Sequence, residues 1–185
     1  MKYNTIFLFL LFLLASCGKN YNESDAIVYN SVKTQYEKTK ENKTDEAILN
    51  INKILSEKEA NQIKGYIERR GWKMKIEHGV FIERLKSSTS KITINDSSVV
   101  KLEYTLSLIN GKNIYSSKKN GIKKIIFGIS DKEPVGLLYI LKTMKNGDEA
   151  NIIIPSYLAY GLYGDGKNIP RHATLVYWIK IIDVK

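Results

Sequence analysis

The stretch "VVKLEYTLSLING" (99–111) alternates between apolar and polar residues with a period of two. Its apolar positions are Val100, Leu102, Tyr104, Leu106 and Leu108, and polar residues stand between them. This period predicts a strand with one buried face. Asn110-Gly111 then predicts a tight hairpin turn, after which the chain returns through residues 112–116. The fold must therefore supply something apolar to cover one face of a sheet.

The residues that follow supply both further strands and a cover. Apolar runs at 122–129 and 148–154 and a second alternating run at 175–182 predict strands. Between them, Pro134 is typical of a helix's first turn, and residues 135–144 carry apolar side chains at helical spacing. These elements predict an α+β domain in which an antiparallel sheet wraps around one short helix.

Upstream of this domain, the sequence predicts a helical extension. Residues 18–43 are mostly polar and predict a tether with at most a loose helix. Residues 45–55 and 57–70 predict two helices, the second beginning at a capping box formed by Ser56 and Glu59. Two short strands are expected near 73–76 and 79–85. The role expected of this extension is that of a scaffold, either a stalk or a cover for one sheet edge.

The N-terminus has the features of an export signal. The apolar run "IFLFLLFLLA" (6–15) is too short to span a bilayer but has the length of a signal-peptide core. It is followed by Ser16 and Cys17, and "LASC" (14–17) resembles the lipobox of bacterial lipoproteins. That resemblance implies lipidation of Cys17, palmitate among the acyl chains, and a stable membrane anchor. The alternatives are an ordinary secreted protein with a chance cysteine and a short buried helix.

Composition excludes several classes of site and partner. The chain has 185 residues, a formal net charge of +10, one cysteine and two histidines. A lone cysteine cannot form an intrachain disulfide, and the two histidines lie in no ligand-spaced cluster, so no metal and no cofactor are expected. The basic residues are scattered, which favours a solvated surface attracted to anionic lipid over a nucleic-acid partner.

No motif for covalent or acid–base catalysis is present, but aromatic residues cluster in one loop. The sequence contains no GxSxG, phosphate-loop or HExxH motif. Asp131 and Asp165 lie in predicted loops without apparent partners. By contrast, "SYLAYGLYG" (156–164) carries three tyrosines between two predicted strands. Rings at strand ends and in loops are typical of an apolar ligand pocket.

Three segments together resemble the FKBP-type peptidyl-prolyl isomerases. They are "VVKLEYTLSLINGKNIYSS", "PVGLLYILKTMKNGDEANIIIPSYLAYGLYG" and "IPRHATLVYWIKI", which occur in the family's order over residues 97–185. The resemblance implies a twisted antiparallel sheet curled around a short helix, with an apolar pocket between them. With the lipobox and the helical extension, the chain also resembles the FKBP-type lipoproteins of gliding bacteria, some of which are associated with gliding motility.

The resemblance implies two catalytic tyrosines, Tyr160 and Tyr104, and a set of substrate-binding residues. That set is Ile114, Tyr115, Phe127, Val135, Leu137, Ile169 and Tyr177. Tyr115 stands where the family usually has an aspartate, and Leu137 stands where it often has a tryptophan. The first change removes a carboxylate that polarises the pocket, and the second softens the pocket floor. Tyr157 and Tyr163 are expected to pack or to lie on the loop surface.

The expected function is that of a lipid-anchored peptidyl-prolyl cis-trans isomerase (EC 5.2.1.8) that assists the folding of exported or envelope proteins. Its implied partners are proline-containing polypeptides, FK506-class ligands and, through Cys17, a membrane. The outer membrane is expected, with the domain in the periplasm. Two alternatives are a catalytically weak proline-binding module of an envelope motility or secretion complex, and a structural lipoprotein whose helices pair two copies. The expected segments are a leader (1–16), a tether (17–43), a helical pre-region with short strands (44–96) and the isomerase domain (97–185).

Overall fold

The computed structural model describes residues 23–130 and 132–185. The chain divides into two compact units between Lys53 and Ile54. Described residues 23–53 of the first unit are helical throughout, and all the strands belong to the second unit. The predicted leader and the predicted lipidation site at Cys17 lie outside the described residues. Among the described helices, none combines the length and the apolar character needed to cross a membrane.

The described elements are three helices, seven strands and one 3-10 turn. In chain order they are α1 (Glu23–Arg70), β1 (Lys75–Glu77), β2 (Val80–Lys86), β3 (Val99–Leu108), β4 (Asn113–Ser116), α2 (Ser117–Asn120), β5 (Lys123–Ile126), α3 (Val135–Leu141), β6 (Glu149–Ile154), the 3-10 turn (Ser156–Leu158) and β7 (Leu175–Val184).

A single antiparallel sheet holds all seven strands in the order β1-β2-β6-β7-β3-β4, with β5 also paired to β3. The longest pairing joins β3 to β7 and places Tyr104 opposite Ile179. Strands β4 and β5 pair with opposite ends of β3, and α2 lies between them in the chain. Two successive segments therefore share one edge of β3.

The concave face of the sheet encloses α3, as the sequence predicts. Leu137, Ile140 and Leu141 of this helix are fully buried. They belong to one core with the alternate residues of β3 and β7, from Val100 to Leu108 and from Leu175 to Ile181. The α+β fold with a sheet wrapped around one short helix is thus confirmed. Its stability comes from the apolar area that α3 and the sheet remove from water together.

A second, smaller core covers the other face of the sheet. Ile63 and Tyr66 near the end of α1 pack there with Ile153 of β6 and Val176 of β7. Since Ile152 belongs to the concave core, successive residues of β6 are buried on opposite faces. A strand covered on both sides has a continuous apolar run in its sequence, which explains "III" (152–154).

The prediction of two helices separated at Ser56 is wrong, because α1 runs without a break from Glu23 to Arg70. It also begins within the segment for which only a loose helix was expected. Alanine, leucine, lysine and glutamate are strong helix formers, and one internal serine costs only a few tenths of a kcal/mol. Glu59, the proposed capping partner, instead bonds to residues near the other end of the chain.

Gly136 sets the distance between α3 and the sheet. A Cβ atom built there would lie 2.7 Å from Ile154 Cγ2 and 3.0 Å from Leu158 Cβ. The first distance is shorter than real carbon contacts, and the second is tighter than most of them. We expect Gly136→Ala to lower the free energy of unfolding by about 1–3 kcal/mol, because the added methyl overpacks a filled core.

The matched control is Gly65→Ala in α1, where the nearest atom to a built Cβ is the flexible end of Arg69 at 3.2 Å. There the better helix propensity of alanine should raise stability by about 0.5–1 kcal/mol. Urea unfolding followed by circular dichroism measures both variants. A Gly136→Ala protein as stable as the unsubstituted chain would contradict this account of the core.

Candidate functional site

An open cavity of about 580 Å³ lies beside the segment that joins β6 to β7. Its lining residues are Tyr115, Lys132, Glu133, Ala159, Tyr160, Gly164, Asp165 and Lys167. Residues 155–174 form the long connection, and Tyr160 lies in its first half. Two of the predicted site residues, Tyr115 and Tyr160, line the cavity, and its rim carries more charge than the predicted apolar pocket.

Backbone hydrogen bonds fix the position of Tyr160. The Gly161 N–H donates to Ser156 O (2.9 Å), and the His172 N–H donates to Gly161 O (2.8 Å). These bonds close the loop on both sides of the tyrosine. Gly164 has a φ of +69°, and a Cβ atom there would lie 2.1 Å from Ile169 O. Only glycine permits that crossing, which brings the Ile169 end of the loop close to the Tyr160 end.

The Tyr160 hydroxyl is a protonated donor at neutral pH. Burial raises the pKa of Tyr160 well above its ordinary value, and the charges of Glu133 and Asp165 raise it further. Among the residues that the structure describes, none accepts or donates a hydrogen bond at this hydroxyl. A half-buried donor of this kind can serve a carbonyl oxygen of a ligand.

Five other predicted site residues lie in the concave core. They are Tyr104, Phe127, Leu137, Ile169 and Tyr177, each less than 10% exposed. Leu137 and Tyr177 are almost fully enclosed, and they lie in the core against which Tyr160 packs, not at the surface of the cavity.

Polar neighbours hold Tyr104 from two sides. Its backbone N–H donates to Ser117 Oγ (2.6 Å), and that hydroxyl donates in turn to Tyr104 O (3.0 Å). Lys123 Nζ lies 5.3 Å from the ring centroid and is paired with Glu133 at 2.7 Å. Burial raises the pKa of Tyr104, with smaller contributions from Glu133 and Tyr115, so this hydroxyl also stays protonated.

The remaining three predicted residues lie nearer the surface. Ile114 and Tyr115 of β4 are half-buried against the concave core. Val135 is 39% exposed as the first residue of α3, and it is not among the residues that line the cavity. The structure thus gathers every predicted residue except Val135 into the cavity or the core beneath it. Tyr157 and Tyr163 lie on the surface, at 68% and 83% exposed, as predicted for loop rings.

The expectation that Asp165 has no partner is wrong. The Tyr115 hydroxyl donates to Asp165 Oδ2 (2.7 Å), across 50 residues of sequence. Asp165 Oδ1 accepts from the backbone N–H groups of Lys167, Asn168 and Ile169 at 2.7–2.9 Å. Tyr115, where the family resemblance implies an aspartate, thus bonds to the carboxylate of Asp165, which lies in the loop between β6 and β7.

The hydrogen bonds at Asp165 also determine its charge. Burial works to raise the pKa of this carboxyl, but the bonds from Ile169, Tyr115, Lys167 and Asn168 outweigh it and hold the pKa below its usual value. Conversely, the bond to Asp165 is the main cause that raises the pKa of Tyr115. At neutral pH, Asp165 is therefore an anion, and the Tyr115 hydroxyl stays protonated and donates to it.

Glu59 of α1 joins the two ends of the loop that carries Tyr160. Its carboxylate accepts from the Ser156 N–H (2.7 Å), from Ser156 Oγ (2.9 Å) and from Thr174 Oγ1. Ser156 and Thr174 are both buried and flank the loop on its two sides. Sequence reasoning missed this role, because nothing near Glu59 in the chain signals a partner 97 or 115 residues away.

Comparison with known proteins gives a consistent picture. The model of the family described as FKBP-type peptidyl-prolyl cis-trans isomerase matches residues 90–182. The FKBP-type peptidyl-prolyl cis-trans isomerase FkpA of Buchnera aphidicola is 34% identical over 71% of this chain and 54% of its own length. FkpA of Escherichia coli K12 is 36% identical over 49% of this chain and 32% of its own. The chain thus spans about half, or less, of the length of these relatives.

Solved structures share the fold. A peptidyl-prolyl cis-trans isomerase from Pseudomonas syringae matches 72% of this chain and 95% of its own, with a TM-score of 0.59 and 24% identity. The N-terminal domain of FKBP42 from Arabidopsis thaliana matches 61% of this chain and 92% of its own, with a TM-score of 0.55 and 22% identity.

The Glu59 contact can be tested by its removal. We expect Glu59→Ala to lower the free energy of unfolding by about 2–4 kcal/mol, because buried donors at Ser156 and Thr174 lose their acceptor. Amide hydrogen exchange should rise more in residues 156–174 than in β3. Glu57→Ala, which removes an exposed carboxylate two residues earlier, is the control. Equal losses in the two variants would show that Glu59 does not hold the loop.

Proposed function

The chain belongs to the FKBP-type peptidyl-prolyl cis-trans isomerase family, and we propose that it catalyses rotation about the amide bond that precedes proline. The observation that carries this proposal is the Tyr160 hydroxyl. It is protonated, has no partner among the described residues, and lies in a cavity above buried rings and aliphatic side chains.

The reaction requires no covalent step. Rotation about an X-Pro amide has a barrier of about 18–20 kcal/mol, which arises from the resonance that the twisted transition state loses. An environment that excludes water from the proline ring and the amide favours the less delocalised, twisted form. A fixed donor can also hold the carbonyl oxygen in its rotated position.

The described residues fit these tasks. Tyr115, Ala159 and Tyr160 line the cavity and form an apolar base on which a proline ring can lie. Leu137, Phe127 and Ile169 are buried in the core against which these residues pack. Tyr160 offers the donor, and Tyr104 lies beneath it as a second ring. The bond between Tyr115 and Asp165 fixes one wall and places a negative charge near the rotating amide. FK506-class ligands would compete for the same base.

The finer proposal is that this isomerase is a lipoprotein of a bacterial envelope. Its support is the sequence from the apolar run at 6–15 to Cys17, which resembles a signal peptide with a lipobox. On this view Cys17 carries the acyl chains, palmitate among them, the outer membrane holds the anchor, and the domain acts in the periplasm on exported or envelope proteins. A role in gliding motility belongs to the same proposal.

A second candidate function is that of a proline-binding module with weak catalysis, part of a motility or secretion complex of the envelope. The observation that favours it is the bond between Tyr115 and Asp165. This carboxylate already accepts four hydrogen bonds, so it is less available to a substrate than a free aspartate. Such a module would bind proline peptides without accelerating their isomerisation.

Tyr160→Phe tests the catalytic assignment. We expect kcat/KM to fall about tenfold, since the donor to the carbonyl is lost and one such bond contributes roughly 1–1.5 kcal/mol. A protease-coupled isomerisation assay on the full-length protein measures the rate. Tyr163→Phe removes a hydroxyl from an 83% exposed ring of the same loop and should leave the rate unchanged. If the folded protein binds the peptide without accelerating isomerisation, the module is the correct function.

Lipidation is tested separately. Incorporation of labelled palmitate into the protein expressed in a bacterial host should disappear in Cys17→Ser, because the chain has no other thiol. Ser16→Ala, which keeps the cysteine and a small residue before it, serves as a control for export and expression. Labelling that persists in Cys17→Ser would refute Cys17 as the acceptor.

A further inference from the structure

A second open cavity, of about 510 Å³, lies on the other side of the loop segment that closes the Tyr160 site. We call it the basic cleft. It is lined by Leu108, Asn110, Lys112, Tyr163, Gly166, Lys167, Asn168, Ile169, Pro170 and Arg171. Its volume falls within the range of roughly 300–1,000 Å³ that is typical of ligand pockets.

The charge of the basic cleft has one sign. Lys112, Lys167 and Arg171 are exposed, and no acidic residue is among the lining residues. Within residues 23–130 and 132–185, none of the three forms a salt bridge. The nearby Asp165 carboxylate already accepts four hydrogen bonds. Three cations therefore surround the cleft, and the one acid beside it, Asp165, is already hydrogen-bonded. The electrostatic potential in the cleft is positive as a result.

The cleft lies against the concave core and adjoins the Tyr160 cavity. Leu108 and Ile169 are 8% and 3% exposed, and both belong to the concave core. Lys167 lines the basic cleft and the Tyr160 cavity alike. A chain segment that places proline beside Tyr160 can therefore continue into the cleft without leaving the surface.

We propose that the basic cleft binds acidic residues that flank the proline of a polypeptide substrate. This inference rests on the proposed isomerase function and gives it a substrate preference. Aspartate and glutamate side chains would pair with Lys112, Lys167 and Arg171, and the planar guanidinium of Arg171 suits a carboxylate in particular.

An acidic polypeptide fits this cleft better than a lipid headgroup does. A headgroup phosphate could pair with the cations, but nothing would hold it at the neighbouring Tyr160 cavity. A peptide with acidic side chains pairs with the same cations and is already tethered by its proline at that cavity. Tethering raises the effective concentration of the flanking residues at the cleft.

The test uses labelled peptides of equal length with a common Leu-Pro core. Three aspartates, three asparagines or three lysines flank the core on its N-terminal side in one set and on its C-terminal side in another. Binding to the full-length protein is measured by fluorescence anisotropy and turnover by the isomerisation assay. We expect the aspartate peptide of one of the two sets to bind about three- to tenfold more tightly than the asparagine peptide of the same set. Two or three exposed ion pairs together contribute an effect of that size. The difference should shrink in about 0.5 M salt, because exposed charges are screened.

Two double variants separate local from overall charge. In Lys112→Gln/Arg171→Gln, the ratio of aspartate to asparagine affinities should fall toward one. Lys58→Gln/Lys180→Gln removes the same charge from exposed positions that line neither cavity, and its ratio should match the unsubstituted protein.

Three other outcomes would decide against the cleft, and a fourth bears on the isomerase alone. Equal affinities for the aspartate and asparagine peptides overturn it, and turnover of the asparagine peptide would at the same time uphold the isomerase. If neither peptide turns over, the isomerase fails, while the affinity ratio still tests the cleft. Equal binding of an aspartate peptide with alanine in place of proline would mean a general anion site. Sedimentation with vesicles of 30% phosphatidylglycerol that is lost in Lys112→Gln/Arg171→Gln would assign the cleft to lipid.

Discussion

The close approach of α3 to β6 is the constraint on which the site depends. Position 136 has no room for a Cβ atom, because Ile154 and Leu158 already occupy that space. The helix can therefore pack close to the concave face of the sheet, and Leu137 is fully buried there beneath the site. Leu158 also belongs to the 3-10 turn that leads into the Tyr160 loop. The absence of a side chain at Gly136 thus determines both how deeply Leu137 is buried and where the 3-10 turn that begins the Tyr160 loop packs.

The two faces of the sheet contribute different things to the site. The concave face supplies the rings and aliphatic side chains of the base, which need only be dry and well packed. The other face carries the end of α1, which reaches the loop through Glu59. Catalysis by exclusion of water and by one fixed hydrogen-bond donor requires both the packed base and the fixed loop, because a mobile loop would let water reach the amide.

The sequence predicts those features that are local in the chain. The alternation of β3 and the apolar spacing of α3 each need fewer than a dozen residues to show, so the sheet and its helix could be predicted. The bond between Tyr115 and Asp165 spans 50 residues and has no periodic signal in the sequence. The sequence therefore could not reveal that the Asp165 carboxylate lies beside Tyr115. Ser56 shows the opposite error, in which a valid local signal for a cap was overridden by a continuous helix and a distant partner for Glu59.

One carboxylate bonded to both ends of the loop makes the loop and the end of α1 a single cooperative unit. Coupling of this kind is reciprocal: a ligand that orders the loop stabilises the helix, and whatever restrains the helix favours the ordered loop by the same free energy. The upper bound of the effect is the free energy of the three hydrogen bonds. The end of α1, which lies outside the matched family region of residues 90–182, is thereby coupled to the order of the loop that carries Tyr160.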